Sequence, residues 1–456
     1  MCDTIAAVAT GAGRSAIGII RLSGAGALAA AGRIFRAASG LPVHAFEDRR
    51  LCYGTLMDAS GAVLDHGLCT VSRGPASYTG EDTAELQLHG SPVVLRAAME
   101  ALFAAGARQA RPGEFTKRAF FNGKLNLTQA EAVIDLIDAE TAQAAKNAAG
   151  QLSGAISRKT DAIYDGLTDI MAHFHAVLDY PDEELDPFSL ADYAGTLDGY
   201  VRQLEALTAS FDRGRLLKEG VRCAIVGRPN TGKSSLLNAL LGYDRAIVNA
   251  LPGTTRDTIV ETLRLGSVFL RLADTAGLRD TDDPVEKEGV GRALAAAGDA
   301  SLVFAVFDGA APFARADEDT VAAAEKAARS IAVVNKADLP QVIDLSRLAG
   351  RFDRVCAVSA KTGAGISALG GAVAELFPEP ASAEAGEILT NTRHVDAVAR
   401  ARDALASAGA AICGGIPPDA VLTELEAAMS ALGELTGKTV REDITARIFE
   451  RFCVGK

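Results

Sequence analysis

The stretch Gly227-Arg-Pro-Asn-Thr-Gly232-Lys233-Ser234 constrains this chain more than any other, because it joins an apolar run to a helical pattern through G-x-x-x-x-G-K-S. Val221 to Val226 predicts a short buried strand, and Ser235-Leu-Leu-Asn-Ala-Leu-Leu predicts the first turns of a helix. A chain that passes from strand to helix through such a loop aims several backbone N–H groups at one point. The helix N-terminus favours negative charge at that same point. The spacing therefore predicts that Asn230, Thr231, Gly232, Lys233, Ser234 and Ser235 surround the phosphates of a nucleotide. Lys233 would reach the β- and γ-phosphates, and the Ser234 hydroxyl would coordinate Mg²⁺.

Three further segments follow in the order a guanine-nucleotide site requires. Asp274-Thr275-Ala276-Gly277 comes after the apolar Phe269-Leu-Arg-Leu-Ala; Asp274 suits a Mg²⁺-bound water and the Gly277 N–H a γ-phosphate. Asn335-Lys336-Ala-Asp338 follows the strand pattern Ile331-Ala-Val-Val. A carboxylate at Asp338 accepts from N1–H and the 2-amino group of guanine, a pairing adenine does not offer. Ser359-Ala360-Lys361, after Val355-Cys-Ala-Val, is placed to give a backbone N–H to guanine O6. A lone Asn-Lys-x-Asp is often a solvated turn. Four motifs in order, each at a strand end, point to a GTP-binding domain.

Between the first two motifs, Gly253-Thr254-Thr255-Arg256-Asp257 occupies a polar gap where a switch loop is expected, with Thr255 as a second Mg²⁺ hydroxyl and Thr254 presenting its backbone. Leu278 stands where Ras-type enzymes place the glutamine that positions water. Leucine has no hydrogen-bonding group. The carboxylates of Arg279-Asp-Thr-Asp-Asp-Pro-Val-Glu286-Lys-Glu288 offer substitutes, and their pattern leaves the choice among them open. No arginine finger is evident, and a monovalent cation beside Asn230 is a candidate for its charge.

Composition bounds the rest. The chain has 456 residues, enough for two or three domains, and 48% of them are apolar. A net charge of −12 argues against non-specific nucleic-acid binding by the whole surface, since phosphate contacts need clustered Lys and Arg. Seven cysteines without a C-x-x-C pair suit a reduced compartment better than a disulfide framework. The start Met-Cys-Asp-Thr-Ile lacks a basic n-region, and no apolar run approaches the roughly 18 residues of a membrane helix. These features predict a soluble, cytoplasmic protein with no membrane contact.

The expected fold class is α/β plus α+β in four stretches. Residues 1–118 read as an α+β domain, with β-like runs Ile17 to Leu22, Leu51 to Leu56, Leu68 to Val71 and Ala84 to Leu88 and a helix from about Val93 to Ala105. Residues 216–380 read as a Ras-like, P-loop, doubly wound domain. The flanks, 119–215 and 381–456, read as two parts of one helical domain into which the GTP-binding domain is inserted. Thr128-Gln-Ala-Glu131 predicts a capping box for a helical pattern running to about Leu178. The pattern resumes from Tyr193 to Phe211, then from Val395 to Ala411 and Asp419 to Leu432. His173-x-His175 on a helix is a poor zinc pair, because i,i+2 side chains face apart.

Several stretches together resemble the MnmE (TrmE) family of tRNA-modification GTPases over essentially the whole chain. They are Asp3-Thr-Ile-Ala, Gly18-Ile-Ile-Arg21-Leu-Ser-Gly, Tyr78-Thr-Gly-Glu-Asp, Ala110-Arg-Pro-Gly-Glu-Phe-Thr-Lys-Arg-Ala-Phe, Asn122-Gly-Lys124-Leu, Leu127-Thr-Gln-Ala-Glu-Ala, the GTP motifs and the terminal Phe452-Cys453-Val-Gly-Lys456. The terminal Cys-x-Gly-Lys, with a GTP domain embedded in a helical one, is the specific part of this signature. The GTP motifs alone would fit many translational GTPases; the principal rival reading is a ribosome-assembly GTPase, and a third is a folate-dependent one-carbon enzyme with GTP only as a regulator.

The resemblance implies a homodimer paired through an N-terminal folate-binding domain. It implies folate contacts at Arg21, Glu85, Lys124 and Lys456, for a 5-formyl- or 5,10-methylene-tetrahydrofolate. By charge, Arg21 and Lys124 would meet the folate's glutamate tail and Glu85 its pterin ring. Mg²⁺ would lie on Ser234 and Thr255, and K⁺ on Asn230, Asn249, Leu251 and Thr254. Glu286 would be the catalytic glutamate. Cys453, beside Lys456, would take part in the chemistry. The family's reaction adds an aminomethyl or carboxymethylaminomethyl group to C5 of the wobble uridine of certain tRNAs, in a heterotetramer with an FAD-dependent MnmG-type partner.

Overall fold

The structure is a computed structural model. It describes residues 3–11, 13–179, 190–243, 261–266, 268–272, 300–378, 386–439, 448–450 and 452–455. The chain divides into two compact units. One comprises Met1–Ala139, Ala145–Ala209 and Asn391–Lys456; the other comprises Glu140–Ala144 and Ser210–Thr390.

The first unit holds a seven-stranded sheet. Its strands are β1 (Ile5–Val8), β2 (Ser15–Ser23), β3 (Phe35–Ala37), β4 (Cys52–Met57), β5 (Val63–Ser72), β6 (Thr83–Gly90) and β7 (Arg108–Gln109), in the order β3-β4-β5-β6-β2-β1-β7. All pairings are antiparallel except β1 with β7. Alternation sends Ile20, Leu22, Leu86, Leu88, Cys69 and Val71 into one core with the helices Ala27–Ile34 and Pro92–Ala104. Arg21 and Glu85 stand directly opposite each other across β2 and β6, one residue out of phase with those core positions. They therefore lie on the other face of the sheet.

The same unit continues through the helices Glu114–Phe121, Leu127–Ile137, Ala155–Asp179, Leu190–Ala209, Thr392–Cys413 and Pro418–Thr436. The expected capping box is displaced by two residues. Asn126 is the cap, its side chain accepting from Gln129 N while Gln129 Oε1 accepts from Asn126 N. Thr128 and Glu131 are instead buried on the inner face of that helix. The long helical pattern predicted from there is cut into separate helices, with Gly154 at φ 83 between Leu152 and Ala155. Glycine reaches that left-handed conformation without steric cost. The helix Leu190–Ala209 packs on Thr392–Cys413, which packs on Pro418–Thr436, so the segments on either side of the second unit's sequence share one core. Leu197, Leu204, Leu405, Leu425 and Leu435 are fully buried there, each contributing about 1.5–3 kcal/mol of hydrophobic stabilisation.

The second unit is a six-stranded sheet of β8 (Val221–Val226), β9 (Glu261–Leu265), β10 (Val268–Leu272), β11 (Leu302–Asp308), β12 (Ser330–Asn335) and β13 (Arg354–Ala357). The order is β13-β12-β11-β8-β10-β9. Only β9 runs antiparallel to its neighbour. Strands β11 and β12 are buried on both faces, which is why they read as unbroken apolar runs. Because β8, β12 and β13 are parallel, their carboxyl ends lie along one edge, and the loops that leave them collect there.

Candidate functional site

The loop after β8 begins at Gly227 and ends at Lys233, the first residue of the helix Lys233–Tyr243. Asn230 (φ 63) and Gly232 (φ 91) are left-handed. At Gly232 a Cβ would stand 2.2 Å from Asn335 Nδ2, so any other residue would displace the Asn335 amide besides straining the left-handed backbone. Thr231 Oγ1 donates to the Arg228 carbonyl at 3.0 Å, and Lys233 Nζ donates to the same oxygen at 2.9 Å. Asn230, Ser234 and Ser235 are exposed on the lip of the loop. The helix start thus carries a lysine and two exposed serine hydroxyls at the end of the loop, a donor set that fits a nucleotide's phosphates and a hard cation.

Asn335, at the end of β12, ties three loops together. It is 2% exposed; its Nδ2 donates to the Thr231 carbonyl at 2.9 Å, and its Oδ1 accepts from Ala360 N at 3.0 Å. The amide therefore bonds the phosphate loop on one side and the Ser359-Ala360-Lys361 loop on the other. Lys336, left-handed at φ 63, donates from Nζ to Asp308 Oδ2 at 2.7 Å. Asp338 is exposed, and its Oδ1 accepts from the buried Ser359 hydroxyl at 2.6 Å. That hydrogen bond holds the Asp338 carboxyl below its ordinary range and keeps it an acceptor. The backbone around Asn335, Asp338 and Ser359 brings a buried amide, an ionised carboxylate and a loop of N–H groups to one edge. Asp308, which orients Lys336, escaped the sequence reading; an aspartate ending an apolar strand is its only signal.

Other expected residues of this site lie outside the described residues. They are Asn249, Leu251, Thr254, Thr255, Asp274, Thr275, Ala276, Gly277 and Glu286.

In the first unit, Arg21 Nε donates to Glu85 Oε1 at 2.8 Å, both side chains being about one-quarter exposed (25% and 28%). The Arg21 guanidinium lies 5.5 Å from the Tyr78 ring centroid and 5.9 Å from that of Phe115, a cation held against two aromatic faces. The sequence reading divides Arg21 and Glu85 between the two ends of a folate. Cross-strand pairing brings the two side chains into contact at one point of the sheet face. Lys124 lies by the loop that carries Tyr78: a Cβ at Gly80 would be 3.4 Å from its Cγ. Asn122 Nδ2 donates to the Thr79 carbonyl at 2.7 Å and closes that loop onto the helix Glu114–Phe121.

A charged network holds these pieces. Arg118, 1% exposed, donates from Nη1 to Glu81 Oε2 at 2.9 Å and from Nη2 to Asp3 Oδ1 at 2.8 Å and Glu114 Oε1 at 3.2 Å. Ser23 Oγ also donates to Glu81 Oε2, at 2.8 Å. Burial alone would raise the Glu114 pKa. The hydrogen bonds from Arg108, from Arg111 N and from Arg118 outweigh it and bring the carboxyl to about 2. The runs Tyr78-Thr-Gly-Glu-Asp and Arg111-Pro-Gly-Glu-Phe, which carry part of the family resemblance, supply Glu81 and Glu114 to this lock, and Asp3 comes from the chain's start.

The C-terminal segment lies on the same region. Gly113 N donates to the Cys453 carbonyl at 3.3 Å, and Pro112 pairs with Val454. Gly455 (φ 101) approaches so closely that a Cβ would be 2.4 Å from the Val8 carbonyl. Val8 sits next to Ala7, the strand partner of Arg21. Cys453 is exposed, and Lys456 lies outside the described residues.

Two family descriptions match the chain. "GTP-binding protein TrmE N-terminus" covers residues 4–124 and "MnmE helical domain" covers residues 127–453. The chain belongs to the MnmE (TrmE) family. Curated relatives agree over full length. The tRNA modification GTPase MnmE of Roseiflexus sp. is 45% identical over 467 residues, with 100% of this chain and 99% of that protein covered. Those of Symbiobacterium thermophilum and Thermus thermophilus are 44% and 43% identical, with the same coverage. Both sites therefore belong to an MnmE-type chain. Among the described residues no helix is long and apolar enough to cross a membrane.

Proposed function

We propose that this chain is a K⁺-stimulated GTP hydrolase whose cycle drives modification of tRNA. With an FAD-dependent MnmG-type partner it would place an aminomethyl or carboxymethylaminomethyl group on C5 of a wobble uridine, drawing one carbon from a tetrahydrofolate. Residues 216–380 would hold GTP. Residues 1–118 would bind the folate and pair two subunits, and 119–215 with 381–456 would form the helical part. The cytoplasm is the location this role requires.

The observation that carries the reading is the Asn335 amide, which holds the phosphate loop and the Ser359–Lys361 loop beside Asp338. That arrangement supports recognition of phosphates and a guanine edge by one rigid set of loops. Ser234 supports Mg²⁺ with a hard hydroxyl oxygen, and the exposed Asn230 supports K⁺ with a neutral amide oxygen. Bound cations supply positive charge against the charge that develops on the phosphates during hydrolysis. Thr255, Asn249, Leu251 and Thr254 would complete the two cation shells. Glu286 would orient the attacking water, since Leu278 has no group to do so. Arg21, Glu85, Lys124 and Lys456 would hold the folate, the Arg21–Glu85 pair facing one end of it, with Cys453 at the reacting end.

GTP turnover in KCl and NaCl at equal ionic strength tests the cation part, because equal ionic strength removes general screening. Wild type should be markedly faster in KCl, and Asn230→Ala should lose most of the difference while still binding GTP. Equal rates in both salts would end the K⁺ assignment.

A further inference from the structure

The phosphate loop is anchored at both ends, and only one anchor belongs to the guanine motifs. Asn335 holds the far end through the Thr231 carbonyl. At the near end, the Arg228 carbonyl accepts from both Thr231 Oγ1 and Lys233 Nζ, so one oxygen fixes the residue that closes the turn and the lysine that serves it. Pro229 and left-handed Asn230 lie between these anchors, the order that a turn with a left-handed third residue prefers. The side chain of Arg228 reaches away from the loop to Asp317, with Nε 3.1 Å from Oδ1.

Asp317 is an unusual partner. It is 1% exposed, sits in the first turn of the helix Arg315–Ala324, and uses Oδ2 to accept from Ala314 N at 2.8 Å. Among the described residues, neither Arg228 Nε nor Asp317 Oδ1 makes a hydrogen bond. The two charges touch without aligning. A buried carboxylate oxygen left this way is unfavourable, and a small shift of the turn would align it.

We propose that Arg228 and Asp317 form a positioning pair for GTP hydrolysis. Asp317 holds the phosphate-loop turn from the neighbouring helix, and through the Arg228 carbonyl it sets where Lys233 stands. Alignment of the pair accompanies the loop's closure on the phosphates. This inference rests on the reading of the chain as a GTP hydrolase.

The test is a double-mutant cycle on the full-length protein, measuring kcat and KM for GTP together with the thermal midpoint. Arg228→Gln leaves the helix Arg315–Ala324 untouched, and Asp317→Asn keeps an oxygen for the Ala314 cap. Each single variant should lower kcat about tenfold, with a much smaller change in KM; Arg228→Gln should also lower the midpoint because it leaves the buried Asp317 without its arginine, and in kcat the double variant should be little worse than either single one. Arg228→Lys, which keeps the charge, should recover part of the loss. Unchanged kcat in Arg228→Gln, or losses that multiply in the double variant, would overturn the proposal while wild-type turnover stands. A wild type without GTP turnover would instead remove the hydrolase reading, and the pair's role with it.

Discussion

At the nucleotide site a single uncharged side chain, Asn335, holds neighbouring loops by bonding their backbones, whereas in the N-terminal unit the loops are held by charge, with Arg118 taking Asp3, Glu81 and Glu114 at once. The difference follows from what each region presents. Backbone N–H groups suit a phosphate, so the side chain that joins two of these loops, Asn335, can be neutral even with the Lys336–Asp308 and Arg228–Asp317 pairs nearby. The Arg21–Glu85 site is itself a charged pair on a sheet face, and the neighbouring loops are locked by further acids and arginines. A neutral lock does not respond to acid. A charged lock does.

The largest effect should come from breaking the charged lock. Arg118→Met leaves Glu81 and Glu114 without their buried partner and should destabilise the N-terminal unit by about 3–5 kcal/mol, with nucleotide binding retained. A calorimetric transition that does not move would show the network to be ornamental. Acid should act on this lock and on the separate pairing of Glu131 with Arg393 and His394. The carboxyls of Glu114 and Glu131 lie at about 2, below the ordinary 4.5; burial opposes this, and is outweighed by the arginines at Glu114 and by His394 and Arg393 at Glu131. Groups lowered in the folded state stabilise it fully above their unfolded pKa. The stabilisation should therefore be complete above about pH 4.5 and be lost as pH falls towards about 2, where both states are protonated. Stability constant across that window would contradict the assignment.

Next in size is the neutral lock. Asn335→Ala strips partners from the Thr231 carbonyl and the Ala360 N–H, at about 1–3 kcal/mol each, and should weaken GTP binding on the order of 10²-fold or more. The melting of the N-terminal unit should not move. Equal GTP affinity in mutant and wild type would mean the loops are held by something other than this amide.

Smaller again is base selection. Asp338→Asn exchanges an acceptor-only carboxylate for an amide that also donates, so preference should move from GTP towards xanthosine triphosphate, about tenfold. An unchanged ratio of the two affinities would remove Asp338 from the base. Smallest in stability is Arg21→Ala, at about 1 kcal/mol or less because the pair is partly exposed. It should nonetheless abolish tetrahydrofolate binding by the intact protein in isothermal titration, and retained binding would dissociate the pair from the folate.

How far each region could be read in advance follows the same division. β8, β10, β12 and β13 were visible as apolar runs, and the loops after them as short contiguous motifs, because backbone recognition is local in sequence. Asn335 was legible as a guanine residue but not as a clamp, since its partners are 104 and 25 residues away. The N-terminal lock joins positions as distant as Asp3 and Arg118, 115 residues apart. No periodicity reports such a pairing. Glu131 shows how a local rule can mislead: its spacing from Thr128 imitates a capping box. The side chain instead accepts from Arg393 Nη2 at 2.7 Å and from Asn391 Nδ2 at 3.2 Å, 262 and 260 residues on, and pairs with His394. Asn126, two residues before Thr128, makes the real cap.

The central claim is that GTP turnover at the Asn335–Asp338 site serves tRNA modification. It is tested most directly by mass spectrometry of wobble nucleosides from a strain lacking this gene, complemented with wild type, Asn335→Ala or nothing. Loss of the C5-modified wobble uridine in the empty and Asn335→Ala strains, with restoration by wild type, is the predicted result. Unaltered tRNA in all three strains, above all with defective ribosomal subunits, would contradict it.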